Sequence, residues 1–292
     1  MDLFFKGVFM GKRFDILLFP QGKNKAFTLS YDDGVYQDRR LVELFDRYHV
    51  KCTFNLNGGA LGYKSPAEAP VDVSKIPAEE IREQYRNHEV GGHALYHSDI
   101  SSLGSPYAMH EILEDKRILE GLTGGILKMF AYPFGLFNSE VKEMLKTAGY
   151  LGARTVRSTH SFELPKDPYE LDPTCHHNDE KLFELAEKFV TEKTLRPSLF
   201  YVWGHAYEFD RNDNWDRIEK LVRYISENGQ DIWFATNGEI LDYISAAHLL
   251  QYSVDGTMIH NPSATDIEIM TAFGRRETLK AGTTTRIGDT PL

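Results

Sequence analysis

The chain has 292 residues, 41% of them hydrophobic and 26% charged, which suits one large folded domain or two modest ones. Its formal net charge of −10 leaves no basic surface for nucleic acid or an anionic membrane, since Lys12-Arg13, Arg39-Arg40 and Arg275-Arg276 are isolated pairs. No apolar run reaches membrane-spanning length, and Met1 to Gly7 lacks the pattern of a secretory signal. A cytoplasmic location is therefore expected unless a leader has been removed.

Residues 1–24 mix apolar and basic side chains and are expected to form an edge hairpin, with Phe14 to Phe19 as one strand. The β-prone run Ala26 to Tyr31 then stops abruptly at Asp32-Asp33-Gly34, and a polar, helix-like segment covers 37–48. Lys51 to Leu56 reads as a second strand, with Cys52 a buried thiol, closed by Asn57-Gly58-Gly59. Residues 62–77, rich in Pro, Ala and Glu, predict a surface loop, followed by a helix over 78–87 and a short strand ending at Gly91-Gly92.

The alternation continues with a helix over 106–121, strand Ile126–Tyr132, helix Ser139–Thr147 and strand Tyr150–Val156. After an irregular Pro-rich stretch (158–178) come a helix over 179–193, strand Leu199–Trp203, helix Asp213–Glu227, strand Asp231–Ala235 and helix Gly238–Ala247. Strands alternating with helices of this length imply parallel βα units; about seven or eight of them favour an α/β fold closed as a (β/α) barrel. In a barrel the chemistry gathers at the carboxyl ends of the strands, and Asp32, Asp33, Asn57, His93, Pro133, Arg154 and His205 all follow a predicted strand.

Beyond residue 248 the pattern changes. Leu249–Ser253, Thr257–His260, Ile267–Met270 and Thr283–Ile287 are short strand candidates separated by turns, so a barrel over 1–248 and a small β appendage over 249–292 are expected. The appendage carries no cluster of titratable groups; covering barrel surface or joining copies into a homo-oligomer is its expected work.

Two adjacent carboxylates at a buried strand end are costly unless paired or bound to a cation. Read alone, Asp32-Asp33-Gly34 fits an acidic turn better. His93 and His97 are four apart; if a helix starts there, both imidazoles leave one face, as in a divalent-metal site. With 11 histidines in the chain, such a pair also arises readily by chance. Taken with a carboxylate at another strand end, the set becomes His-His-Asp with open positions for water and substrate, and the second carboxylate supplies a base.

Several segments together resemble the polysaccharide deacetylase family, the chitin-deacetylase-like carbohydrate esterases. Ser30-Tyr31-Asp32-Asp33-Gly34 is similar to the family's Thr-Phe-Asp-Asp-Gly. His88-Glu89-Val90-Gly91-Gly92-His93-Ala94-Leu95-Tyr96-His97 resembles its His-Glu-Ile-Gly-x-His-(Ser/Thr)-x-x-His. Phe130-Ala131-Tyr132-Pro133-Phe134-Gly135 matches the third motif in frame, and Trp203-Gly204-His205 the final Leu-x-His. The resemblance, over roughly residues 25–245, implies a distorted (β/α) barrel of about seven strands and hydrolysis of acetyl groups on sugars.

Carried over residue by residue, Asp33, His93 and His97 would ligate a divalent metal, zinc above all, with cobalt, manganese or iron tolerated. Asp32 would be the general base and His205 the general acid. The Phe134 N–H, beside Pro133, would stabilise the oxyanion, and Asn57 and Tyr96 would sit at the mouth.

Two departures stand out. The third motif's arginine is Ala131 here, and Arg154 at the next strand end is expected to replace it. The fourth motif, an Asp-Trp segment, is missing; Leu171-Asp172-Pro173-Thr174-Cys175-His176-His177 occupies the region. Asp172 is expected either to orient His205 or to cap a loop. His176 and His177 read as a substrate wall or as surface residues, and Tyr207, Glu208 and Trp215 as stacking or packing residues. Cys175 has no second cysteine at ligand spacing. The substrate reading stays open between an acetylated sugar and a small amide, with a non-catalytic, metal-retaining carbohydrate binder as the third possibility.

Overall fold

The structure, a computed structural model, describes residues 9–10, 15–272 and 274–287. The polypeptide enters through β1 (Phe9–Met10) and β2 (Asp15–Leu18), paired antiparallel with Phe9 opposite Ile16. This is the expected hairpin, although Phe14 lies outside the described residues. Parallel strands follow: β3 (Lys25–Asp32), β4 (Cys52–Leu56), β5 (Glu89–Gly92), β6 (Met129–Ala131), β7 (Gly152–Arg154), β8 (Cys175–His176), β9 (Ser198–His205) and β10 (Ile232–Phe234). Between and after them run α1 (Asp38–Arg47), α2 (Ile81–Gln84), α3 (Ser105–Thr123), α4 (Ser139–Thr147), α5 (Leu182–Thr191), α6 (Tyr207–Arg211), α7 (Trp215–Asn228) and α8 (Asn237–His248).

Strands β3 to β9 stand side by side in chain order, because β3 pairs with β4 on one side and with β9 on the other. A bridge between Arg154 of β7 and Leu171, just ahead of β8, joins the far ends of the order. The result is the distorted (β/α) barrel of seven strands; β10 adds to it by pairing with Lys25 to Phe27.

Strand β3 is buried along its whole length, so its alternation separates two environments rather than core from solvent. Phe27, Leu29 and Tyr31 pack outward in a core shared with Leu41 and Phe45 of α1. Thr28, Ser30 and Asp32 share the other face, which is polar but satisfied. Asn55 Nδ2 donates to Ser30 Oγ and to Asp32 Oδ1, both at 2.8 Å, and Thr28 Oγ1 donates to Asn237 Oδ1 at 2.9 Å.

Helix α1 covers the Phe27, Leu29 and Tyr31 face with Leu41, Val42, Leu44 and Phe45, each contributing about 1.5–3 kcal/mol if fully buried. Helix α8 is started by a capping box between Thr236 and Glu239. The helix expected over 78–87 is instead a 3-10 turn, Ala78–Glu80, leading into the single turn of α2.

The chain after α8 forms β11 (Gln251–Tyr252), β12 (Met258–His260), β13 (Ile267–Met270), β14 (Arg276–Leu279) and β15 (Thr284–Arg286). Strands β11, β12 and β15 make one small antiparallel sheet. Strand β13 pairs with β14 and with β2, so the other sheet runs β1-β2-β13-β14 and unites the two ends of the chain. Ile267, Ile269 and Leu279 pack with Leu17 of β2 and with Ile240, Leu241 and Ile244 of α8. No helix among the described residues is long and apolar enough to cross a membrane.

Candidate active site

The carboxyl ends of β3, β5, β7 and β9 bring the motif residues to one mouth. In register, Asp32 lies beside Asn55 of β4 and His205 of β9. Asp33 then takes a left-handed conformation (φ 85°), which sends its carboxylate away from that of Asp32. The expected helical turn at His93 and His97 does not form. The chain leaves β5 through left-handed kinks at Ala94 (φ 60°) and His97 (φ 58°), and these fold the two imidazoles to 4.7 Å between ring centres. Asn57, expected at the mouth, is buried beneath that loop, and its Nδ2 donates to the carbonyls of His93 (2.6 Å) and Ala94 (3.0 Å). Asp115 of α3 accepts from the N–H groups of Gly58 and His93 at 2.6 and 3.0 Å.

Asp33, His93 and His97 each offer one ligand atom, all within 4.8 Å of one another. His97 Nε2 lies 3.9 Å from Asp33 Oδ1. His93 Nδ1 lies 2.7 Å from the Ala131 carbonyl, which can only accept, so Nδ1 carries the proton and Nε2 keeps its lone pair. Burial lowers the pKa of His93 to about 4 and also depresses that of His97, so both are neutral. Two neutral imidazoles and one carboxylate fit a divalent transition metal.

Asp32 is 2% exposed and held on two sides. Asn55 bonds one oxygen, and the guanidinium of Arg154 bonds Oδ2. Arg154, itself 1% exposed, stands next to Ala131 in the β6–β7 register and lies over the Trp203 ring, 4.3 Å from its centre. His93 Nε2 and His205 Nε2 are each 4.0 Å from Asp32 Oδ2. Burial pushes the Asp32 pKa up, but Arg154, then His93 and His205, with the Asn55 bond, bring it below its ordinary value. Asp33 is likewise raised by burial and lowered overall by Lys75 first, then by the surrounding histidines.

The carboxylate behind His205 is not Asp172. Asp172 accepts from Thr155 Oγ1 and from Arg157 Nε (2.9 Å), fastening the segment just after β7. Glu208 of α6, three residues after His205, takes that position: its Oε2 is 3.6 Å from His205 Nδ1, 3.0 Å from His176 Nε2 and 3.1 Å from His177 Nε2. Burial lowers the His205 pKa, yet Glu208, then Asp32 and Asp33, more than reverse this and hold the imidazole above its ordinary range. The signal in the sequence was the i, i+3 spacing at a strand-to-helix junction.

His176, His205 and Glu208 also sit close enough to hold a cation. However, His176 Nδ1 accepts the Asn178 N–H at 3.1 Å, so its Nε2, 3.0 Å from Glu208 Oε2, bears the proton. That protonation disfavours a second metal. His177 is no substrate wall: it is fully buried, stacked between Tyr31 and Phe209.

Phe134 is 62% exposed and left-handed (φ 59°) on a turn after the buried Pro133, with its ring 4.5 Å from that of His97. Tyr207 lies 5.3 Å from the His205 ring. Tyr96 is exposed and lies over Gly59, where an added Cβ would meet its ring at 2.5 Å. Trp215 packs on Phe209 and bonds Asp210, and Cys175 is a buried, free thiol.

Residues 20–153 match the family model described as Polysaccharide deacetylase. The resemblance to that family stands. The deacetylase-like barrel is also found among solved structures. A putative polysaccharide deacetylase from Mycobacterium smegmatis superposes with a TM-score of 0.58 at 17% identity, over 82% of this chain and 96% of that one. The Puue allantoinase gives 0.58 at 15% identity, over 77% and 91%. A mutant of the family-4 carbohydrate esterase pseudoenzyme BA3943 of Bacillus anthracis, with restored activity, gives 0.50 at 20% identity, over 78% and 70%. The chain spans about half, 55%, of the length of another match, a Streptococcus pyogenes deacetylase. At these identities the likeness concerns the fold. No curated protein matches the chain in sequence.

Proposed function

We propose that the chain is a metal-dependent hydrolase that removes acetyl groups from an N-acetylated (or O-acetylated) sugar or glycan. Asp33, His93 and His97 would hold the metal, for which zinc suits the donor set best. A divalent ion there supplies Lewis acidity toward the acyl oxygen and lowers the pKa of a coordinated water. Asp32, ionised and fixed by Arg154 and Asn55, accepts the proton of the attacking water. His205, protonated and held from behind by Glu208, delivers a proton to the departing amine through Nε2. The Phe134 N–H would meet the developing oxyanion.

The observation that carries this reading is the placement of a buried, cation-fixed Asp32 between His93 and His205, 4.0 Å from each. A protein that only binds carbohydrate has no use for such a base and acid pair, and Arg154 at Asp32 removes the reason that Ala131 offered for a binder. The test is acetate release from N-acetylated mono- and oligosaccharides, from O-acetylated glycans and from small linear and cyclic amides, each compared with Asp32→Asn. Turnover of amides alone would move the chain to the amidohydrolases. Release from none, by metal-loaded protein, would end the hydrolase reading.

A further inference from the structure

Lys75 belongs to the predicted surface loop over 62–77, yet its position is built with some care. An antiparallel bridge pairs Lys75 with Val35, the Ile76 N–H donates to the Gly34 carbonyl at 2.8 Å, and the Lys75 N–H donates to that of Tyr63 at 2.9 Å. These bonds lay the loop along Asp33-Gly34-Val35 and leave the Lys75 side chain only 14% exposed. Its ammonium is 3.1 Å from Asp33 Oδ1 and 3.4 Å from Asn57 Oδ1. Asp33 Oδ1 is also the oxygen that faces His97 Nε2. One carboxylate oxygen thus serves a fixed cation and is, on the reading above, a metal ligand.

We propose that Lys75 is a tethered competitor for the metal. A divalent ion takes Asp33 Oδ1 only by displacing the ammonium, which then turns to Asn57 Oδ1. Two neutral imidazoles and one carboxylate present a single negative charge, and Lys75 cancels it. An ion bonded to Oδ1 at about 2.0–2.2 Å lies no more than about 5 Å from the ammonium. In a site this enclosed, repulsion at that range is weakly screened. Because the backbone of Lys75 is pinned, the exchange is a side-chain movement and the loop stays in place. The consequence is a site that loads only when free metal is abundant, with its lysine as the resident cation otherwise.

This inference rests on Asp33, His93 and His97 being the ligands. The experiment is competition of Zn²⁺ and Co²⁺ against a fluorescent chelator in wild type, Lys75→Met, Lys75→Gln and Lys75→Arg, with His97→Ala as control. Both neutral variants should bind at least tenfold more tightly than wild type with unchanged stoichiometry, Lys75→Arg should stay near wild type, and His97→Ala should lose the site. Neutral variants that bind no more tightly than wild type would overturn the competition while leaving the metal site intact. Binding unaffected by His97→Ala, or absent from wild type and every Lys75 variant, would remove the metal site and this inference together. Metal taken up by Lys75→Met or Lys75→Gln but not by wild type would support the competition in its strongest form.

Discussion

Arg154 bonds the Oδ2 of Asp32 in the interior of the barrel mouth, and neither side chain is more than 2% exposed. Removing the guanidinium leaves a carboxylate buried beside a second carboxylate, so Arg154→Ala should cost about 3–5 kcal/mol in stability. It should also lower kcat/KM about 100-fold in metal-loaded protein through misplacement of the base. Ala131 is the in-register neighbour of Arg154, so adding Ala131→Arg should restore part of both losses. Chemical denaturation and steady-state kinetics on the single and double variants test this, and an Arg154→Ala enzyme with unaltered kcat/KM would leave Asp32 without a need for its cation.

The pH–rate profile should be bell-shaped with a wide plateau. Activity needs Asp32 deprotonated, so it falls on the acid side as pH drops through a pKa below the ordinary carboxylate value. It needs His205 protonated, so it falls on the basic side as pH rises through a pKa above the ordinary histidine value of about 6.5. Asp32→Asn should keep its metal and lose roughly 100- to 10,000-fold in rate. Glu208→Gln removes the largest contribution raising His205 and should draw the basic limb to lower pH, whereas a purely structural Glu208 would lower the rate at every pH without moving the limb.

Metal content should follow the three ligands. At saturating free Zn²⁺, equilibrium dialysis is expected to find about one bound ion per chain in wild type, and little in His93→Ala or His97→Ala. Asp172→Asn should keep both metal and activity, because Asp172 serves Thr155 and Arg157 rather than the acid. Full metal in both histidine variants would rule out the site.

The contribution of Glu89 and Asp38 to stability should decline from about pH 4 toward pH 8, opposing the rise that His88, His93 and His177, each lowered to about 4 by burial, add up to about pH 6.5. Burial raises Glu89 to about 7 and Asp38 to about 8, both far above their values in an unfolded chain. Between the unfolded and folded pKa values the native state holds protons that the unfolded state has lost, so raising the pH favours unfolding. The stabilisation is fully present below about pH 4 and lost as pH passes through the folded values. Above about pH 6.5, Glu89→Gln and Asp38→Asn should each flatten the slope of denaturation free energy against pH; slopes equal to wild type in both would contradict the assignment.

The barrel was readable in the sequence because each strand ends at a residue type unlike its interior, and because Thr28, Ser30 and Asp32 alternate with Phe27, Leu29 and Tyr31 at the strand period. The pairing of His93 with His97 was legible, but its geometry was not: the spacing fits a helix, whereas left-handed residues at 94 and 97 do the folding. The place of Glu208 behind His205 was not legible, because its spacing three residues on does not say that α6 turns the carboxylate toward the imidazole. Lys75 could not be found, since nothing in a Pro- and Ala-rich loop says that one lysine is bridged to Val35 and delivered to Asp33. The partnership of β2 with β13 was equally hidden, because short strands carry no signal of which distant edge they will join.

That partnership makes folding wait for synthesis. Leu17 and Ile269 face each other across one ladder although 252 positions separate them (269 − 17). At a translation rate of about 5–20 residues per second, the edge of β2 stays without its partner for roughly 13–50 s while the barrel strands emerge. During that interval a short apolar edge, Ile16-Leu17-Leu18, is open to pairing with another nascent chain. The small sheet at the ends of the chain thus serves as a closing seal, and chaperone demand should be greatest just before residue 270 leaves the ribosome.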